Sequence, residues 1–308
     1  MANTEFAKLP VLSNQIYQEW YPKTVLVQSC DNSFEGELNL ESRELDIPVY
    51  HDLSVYQTTI KERELKPVAL EFIKASTKRV TIDRGRYSHW GQTNIGKLIE
   101  RLSAEDSEVR KKLVNKWAVE AEKELAQWVA FDIPTAKHEI DLSGASYLNA
   151  VVSSTNVMRA LDILQAKVIK QDMEPTEFTL FASEKFEQIL RDTKISFASQ
   201  DADATFRTGF VGIVNGVEVR RLHIQSLTVR DSATAEVKSE IAIWKTRDGI
   251  QYVVPYKNTI SYEIQPNEIL MGGTGYQTVE YYDFFNLYPG RLFRVKIKYD
   301  SAASYPAK

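Results

Sequence analysis

Cysteine is almost missing from this chain: Cys30 stands alone among 308 residues. No intramolecular disulfide can form, and a structural zinc cluster of cysteines is excluded. Cys30 follows the apolar run Val25-Leu-Val27 and reads as a small buried residue rather than a nucleophile. Histidine is scarce too. His51, His89, His138 and His223 lie far apart, with no His-Glu-x-x-His or other ligand spacing, so neither a metal nor a cofactor is expected. No apolar run approaches the roughly 18 residues of a membrane span. The N-terminus shows no basic stretch followed by an apolar one, so no signal peptide is read and a cytoplasmic start is expected. An excess of positive charge is absent as well: the net charge of −4 argues against a chain that grips nucleic acid by neutralising phosphates.

Catalytic patterns are equally thin. There is no Gly-x-Ser-x-Gly elbow. Ser143-Gly-Ala-Ser146 reads as a connector, and Gly272-Gly-Thr-Gly275 as a turn, since no Lys and helix follow to make a phosphate loop. Asp201-Ala-Asp203 lacks a calcium-loop pattern, and His138-Glu139, just past Pro134, reads as a solvated pair in a loop. No constellation asks for an enzyme.

What the chain does have is an ordinary globular balance, 43% hydrophobic and 26% charged, in a length that suggests two domains. Residues 1–12 read as an extended arm with Pro10 as a breaker, and 13–21 as a short helix capped by Ser13 and ended by Pro22. Over 36–90, Leu45, Ile47 and Val49, then Val68, Leu70 and Phe72, then Val80 and Ile82 alternate as in a long two-stranded excursion. Such a hairpin needs another surface, in the same chain or a neighbour. Ser103-Ala-Glu-Asp106 resembles a capping box, and Val109, Leu113, Trp117, Ala121, Leu125 and Trp128 then mark a long amphipathic helix to about residue 131. A second helix is expected over 153–170, capped by Ser153 or Ser154, then a strand Glu177 to Ala182 and a third helix capped by Ser183. Asn215-Gly216 joins two strands across 210–224 in a type I′ turn. Ile241 to Trp244 is a compact strand, Tyr252 to Val254 a possible second, and 257–300 is strand-rich. The order gives an α+β fold with the second unit inserted between parts of the first.

Several of these phrases together resemble the major capsid proteins of tailed bacteriophages, the Hong Kong 97-type fold that encapsulin shells share. Ser13 to Cys30 resembles that family's N-arm, Glu44-Leu-Asp-Ile-Pro48 the start of its E-loop, and Val80-Thr-Ile-Asp83 with Tyr87 the return. Ser103 to Phe131 resembles the spine helix, and Pro175 to Ser183 with Phe186 the axial strand and helix. Thr208-Gly-Phe-Val-Gly-Ile-Val-Asn-Gly-Val-Glu-Val219 is similar to the family's glycine-spaced hairpin.

The resemblance implies five parts: an N-terminal arm (1–35), an E-loop (36–90), a peripheral domain with the spine helix (91–145), an axial domain (146–256), and returning peripheral strands with the C-terminal tail (257–308). It implies a homo-oligomer of pentamers and hexamers in an icosahedral shell, assembled in the host bacterial cytoplasm with scaffold and portal proteins. The shell would enclose double-stranded DNA without sequence-specific binding, and no membrane is involved. Charges near the hairpin, Lys61, Arg63, Lys66, Lys74, Arg79, Arg84 and Arg86, are candidate inter-subunit contacts, where placement sets register and specificity. Two alternatives stand beside this reading: an encapsulin-type nanocompartment shell, and a soluble hydrolase or binding protein without a recognisable motif.

Overall fold

The computed structural model describes residues 7–8, 10–33, 44–50, 75–93, 108–134, 138–144, 146–193, 210–222, 227–230, 237–264 and 272–299. After a two-residue strand β1 (Ala7–Lys8), helix α1 (Pro10–Trp20) starts at the proline expected to break the chain. A proline costs nothing at the first helical position, where its missing N–H would have no partner. A 3-10 turn (Tyr21–Lys23) leads to turns that bury Val25, Leu26, Val27 and the free Cys30.

Strands β2 (Glu44–Tyr50) and β3 (Ala75–Thr81) pair antiparallel, from Glu44 opposite Thr81 to Tyr50 opposite Ala75. Leu45, Ile47, Val80 and Ile82 are buried against Val253 and Leu287, so the base of this two-stranded arm packs on its own subunit. Its continuation, including the expected Val68 to Phe72 segment, lies outside the described residues. Strand β4 (Arg84–Thr93) follows.

Helix α2 (Glu108–Gln127) runs on into a wider π turn (Trp128–Asp132). The capping sequence at Ser103 lies outside the described residues. Trp117, Ala121 and Leu125 are buried as the spacing predicts, with Leu113 and Trp128 half-buried; Val114, Ala118 and Ala126 widen the buried stripe, while Lys112, Lys116 and Lys123 face solvent. Strand β5 (Glu139–Asp141) comes next, and Ser143 to Gly144 turn as expected.

Helix α3 (Val157–Ile169) begins later than the serines suggested. Asn156 holds the cap position, and its carboxamide is used by the preceding loop, accepting from Ser153 N–H at 2.8 Å and donating to Val151 O at 2.8 Å. Strand β6 (Thr179–Ala182) precedes helix α4 (Glu184–Asp192), whose cap residue is Ser183. The Ser183 hydroxyl turns away from the helix to the buried Glu240.

Strands β7 (Phe210–Val214) and β8 (Val217–Arg221) form the expected hairpin. Asn215 and Gly216 have φ of 50° and 76°, as a type I′ turn demands. Strands β9 (Leu227–Arg230) and β10 (Val237–Lys245) lead to β11 (Gln251–Ile264), far longer than the short strand expected at Tyr252. It pairs along most of its length with β12 (Gly273–Phe285), and β13 (Leu292–Ile297) closes the fold.

Two of the glycines expected in a turn, Gly273 and Gly275, instead lie inside β12, and only Gly272 takes a positive φ, 73°. Gly275 sits beneath the ring of its cross-strand partner Tyr262, where an added Cβ would come within 2.4 Å of Cζ. Close aromatic approach, not backbone freedom, requires glycine there.

The strands make two larger sheets. One is ordered β1-β11-β12-β4 and the other β5-β13-β10-β6-β8-β7, with β9 added on β10. β11 runs across residue 256 without a break, in the first sheet. The middle of the second sheet, β6 and β10, is buried on both faces. Phe181, Ile241 and Ile243 face a core shared with α1, α2 and the first sheet. Leu180, Ala182, Ala242 and Trp244 face a core shared with α3 and α4. Burial on both sides explains why these strands read as continuous apolar runs rather than alternations.

Candidate assembly surfaces

The charged residues singled out near the arm have different fates. Arg79 stands on the exposed face of β3 and reaches across to its register partner Asp46, Nε to Oδ1 at 2.9 Å and a second nitrogen to Oδ2 at 3.2 Å. Glu44 lies 3.4 Å away. The hydrogen bond from Arg79 holds the Asp46 carboxyl below its ordinary pKa, and Arg79 is raised in turn. The guanidinium remains 64% exposed, so its outer edge is available to a neighbour. Arg84 lies between Asp283 at 3.3 Å and Asp132 at 3.5 Å, with its guanidinium over the Phe284 ring. Lys61, Arg63, Lys66 and Lys74 lie outside the described residues.

Arg86 points inward. Its side chain is 8% exposed and donates to Glu280 at 3.1 Å and Glu124 at 2.8 Å. It also lies over Trp20, Trp117 and Tyr282. Burial alone would depress its pKa, but Tyr252, Glu280 and the other acids beside it raise it. This arginine ties α1, α2 and the first sheet together inside one subunit, so the structure does not place it at the surface. The inward orientation follows from strand alternation: Arg86, Ser88 and Trp90 share the inner face, where Arg86 meets Trp20 of α1 and Trp117 of α2, while Tyr87 and His89 point out.

Glu122 and Lys245 are among the buried charges that had no place in the sequence reading. Glu122 sits in the apolar stripe of α2, four residues after Ala118 and three before Leu125. Its carboxylate accepts N–H bonds from Val25 at 2.5 Å, Leu26 at 2.7 Å and Val27 at 3.1 Å. Burial pushes its pKa up, opposed by those three N–H groups. Lys245, at the end of the apolar run Ile241–Trp244, donates to Ser29 O at 2.7 Å and Thr246 O at 3.3 Å. Burial lowers its pKa and raises that of the neighbouring Cys30 to about 11, an inert thiol. A charge within an apolar stripe was the available signal for Glu122; Lys245, at the end of its run, gave none.

The reading of His138-Glu139 as a solvated pair is corrected. His138 is buried, with Nδ1 at 2.9 Å from Leu292 O. Glu139 lies in β5 and binds Arg294 and, at 2.8 Å, Lys296. The reason is tertiary: β5 pairs in parallel with β13, which brings Arg294 and Lys296 alongside. Among the described residues no group of His, Cys, Asp and Glu is arranged to hold a metal, and no helix is long and apolar enough to cross a membrane.

No family model matches the chain, and no curated protein matches it in sequence. Solved structures do match. A structure of Mycobacterium phage Che8 aligns over 96% of this chain and 94% of its own at 12% identity, with a TM-score of 0.55. The capsid of Cyanophage P-SCSP1u aligns over 90% and 89% at 12% identity, with a TM-score of 0.57. The holo-encapsulin complex of Synechococcus elongatus aligns over 100% and 95% at 10% identity, with a TM-score of 0.52. The likeness extends from the N-terminal helix to the last strand, and with it the fold of this chain is the Hong Kong 97-type capsid fold.

Proposed function

We propose that this chain is the major capsid protein of a tailed phage, a structural subunit without catalysis that builds the icosahedral head shell around double-stranded DNA. The observation that carries the reading is the whole-length likeness to the cyanophage capsid, which leaves little of the chain for another activity. The subunits would form pentamers and hexamers, with scaffold and portal proteins as assembly partners and the virion as final location.

The parts fit that role. The β2–β3 arm (within 36–90) is fixed at its base by Leu45, Ile47, Val80 and Ile82, so a neighbour can be engaged without unfolding the core. Helix α2 and the first sheet supply a rigid peripheral body, and α3, α4 and the β7–β8 hairpin an axial one. Many moderate contacts of this kind become stable together through closed geometry.

The test is the mass and shape of the purified protein, by light scattering and electron microscopy, with any co-encoded scaffold added. Closed megadalton shells are expected; a stable monomer with scaffold present would sink the reading. The encapsulin likeness supports a second reading, a shell holding protein cargo. The contents decide between them: nucleic acid in native particles favours the phage head, and a co-purifying enzyme the compartment.

A further inference from the structure

A cleft of about 620 Å³ opens where the turn after α1 meets β6, β8 and the β10–β11 connection. Among the described residues three cations line it: Arg220, Lys245 and Arg247. Arg247 is exposed and has no ion pair among the described residues. Arg220 uses Nε for Glu218 at 2.6 Å, and its two terminal nitrogens have no partner among the described residues. Lys245 is 1% exposed and its ammonium is already bound to Ser29 O and Thr246 O, so Arg220 and Arg247 are the cations open to a ligand. Against these stands, among the described residues, one lining carboxylate, Glu177. The nearby acids are already engaged, Glu218 by Arg220 and Asp248 by Arg291.

The rest of the lining narrows the occupant. Gln28 and Asn32 each present a donor and an acceptor, which matches the alternating N–H and C=O of a peptide backbone. A fully ionised inorganic anion could take the guanidinium and amide N–H donors but would leave the two amide C=O acceptors without a donor. A nucleic-acid duplex is too wide to enter a cleft of this size.

We propose that this cleft receives an acidic peptide segment of a partner protein, with its carboxylates on Arg220 and Arg247 and its backbone along Gln28 and Asn32. Guanidinium–carboxylate forks supply the specificity.

The test uses the full chain and a fluorescently labelled ten-residue peptide rich in Asp and Glu, followed by polarisation. Saturable binding is expected that weakens with salt. It should fall about tenfold or more in Arg247→Glu. Arg159→Glu, on the exposed side of α3, should bind as the unaltered chain does. An Asn/Gln-rich peptide of equal length should not bind. Absence of saturable binding, or equal affinity in R247E and R159E, would overturn the proposal. So would displacement of the peptide by inorganic phosphate at equal concentration, which would mark a bare anion site. None of these outcomes bears on shell formation, so the two proposals fail separately.

Discussion

Glu122 and Lys245 hold opposite ends of one short turn. The carboxylate accepts the N–H groups of Val25, Leu26 and Val27, and the ammonium donates to the carbonyl of Ser29. Each charge faces the end of the turn whose dipole it complements. The turn thereby joins α2, which carries Glu122, to β10, which carries Lys245. Glu122→Gln would set an amide N–H₂ against backbone donors. A loss of about 2 kcal/mol is expected, read as a lower urea midpoint of the subunit at unchanged m-value.

Arg86 and Glu280 form a buried pair, 8% and 2% exposed. Arg86→Met takes the guanidinium from beside the buried Glu280 carboxylate, at a cost of about 3–5 kcal/mol. The double variant Arg86→Met/Glu280→Met should recover much of that loss. A double-mutant cycle on thermal unfolding measures it, and a double variant as unstable as the sum of the singles would contradict the pairing.

Glu139 carries the clearest pH dependence. Burial would raise its pKa, but hydrogen bonds from Lys296 and Arg294 outweigh it and hold the carboxyl below the ordinary 4.5. A depressed folded pKa adds stability that is present above the unfolded value and lost as pH falls through the folded one. The stability gap between the unaltered chain and Glu139→Gln should therefore be full at neutral pH. It should close progressively below about pH 4.5. Unfolding curves for both proteins across that range test it.

The register Tyr50 opposite Ala75 predicts that residues 51–74 can be replaced by Asn-Gly, the pair suited to a two-residue hairpin turn. The shortened chain should keep its thermal midpoint, because the buried side chains of the described arm, Leu45, Ile47, Val80 and Ile82, are all retained. Shells should no longer form. Normal particles from this variant would remove the arm from the assembly mechanism.

Arg79 separates folding from assembly. Its partners Asp46 and Glu44 are themselves exposed, so Arg79→Glu should leave the thermal midpoint of the subunit unchanged. If this face of β3 contacts a neighbour, assembly should slow, and light scattering against time reports it.

Local patterns were enough for the long helix, the type I′ hairpin and the alternating arm, because each depends on neighbours in sequence: a spaced stripe from Val114 to Leu125, the φ > 0 tolerance of Asn215-Gly216, and the period-two burial of Leu45 and Ile47. The ordered succession of these elements also made the capsid-like architecture legible. The tertiary structure decided what depends on distant partners. It turned Arg86 inward because Trp20 of α1 and Trp117 and Glu124 of α2 lie over that face of β4, and it buried His138 and paired Glu139 because β5 lies beside β13. It made strand of Gly273 and Gly275 because β11 supplied a long partner and the Tyr262 ring needed the space. It placed Glu122 against a turn about a hundred residues earlier, where three unpaired N–H groups needed an acceptor. A charge in an apolar stripe announces only that a partner must exist; which partner it is follows from the packing.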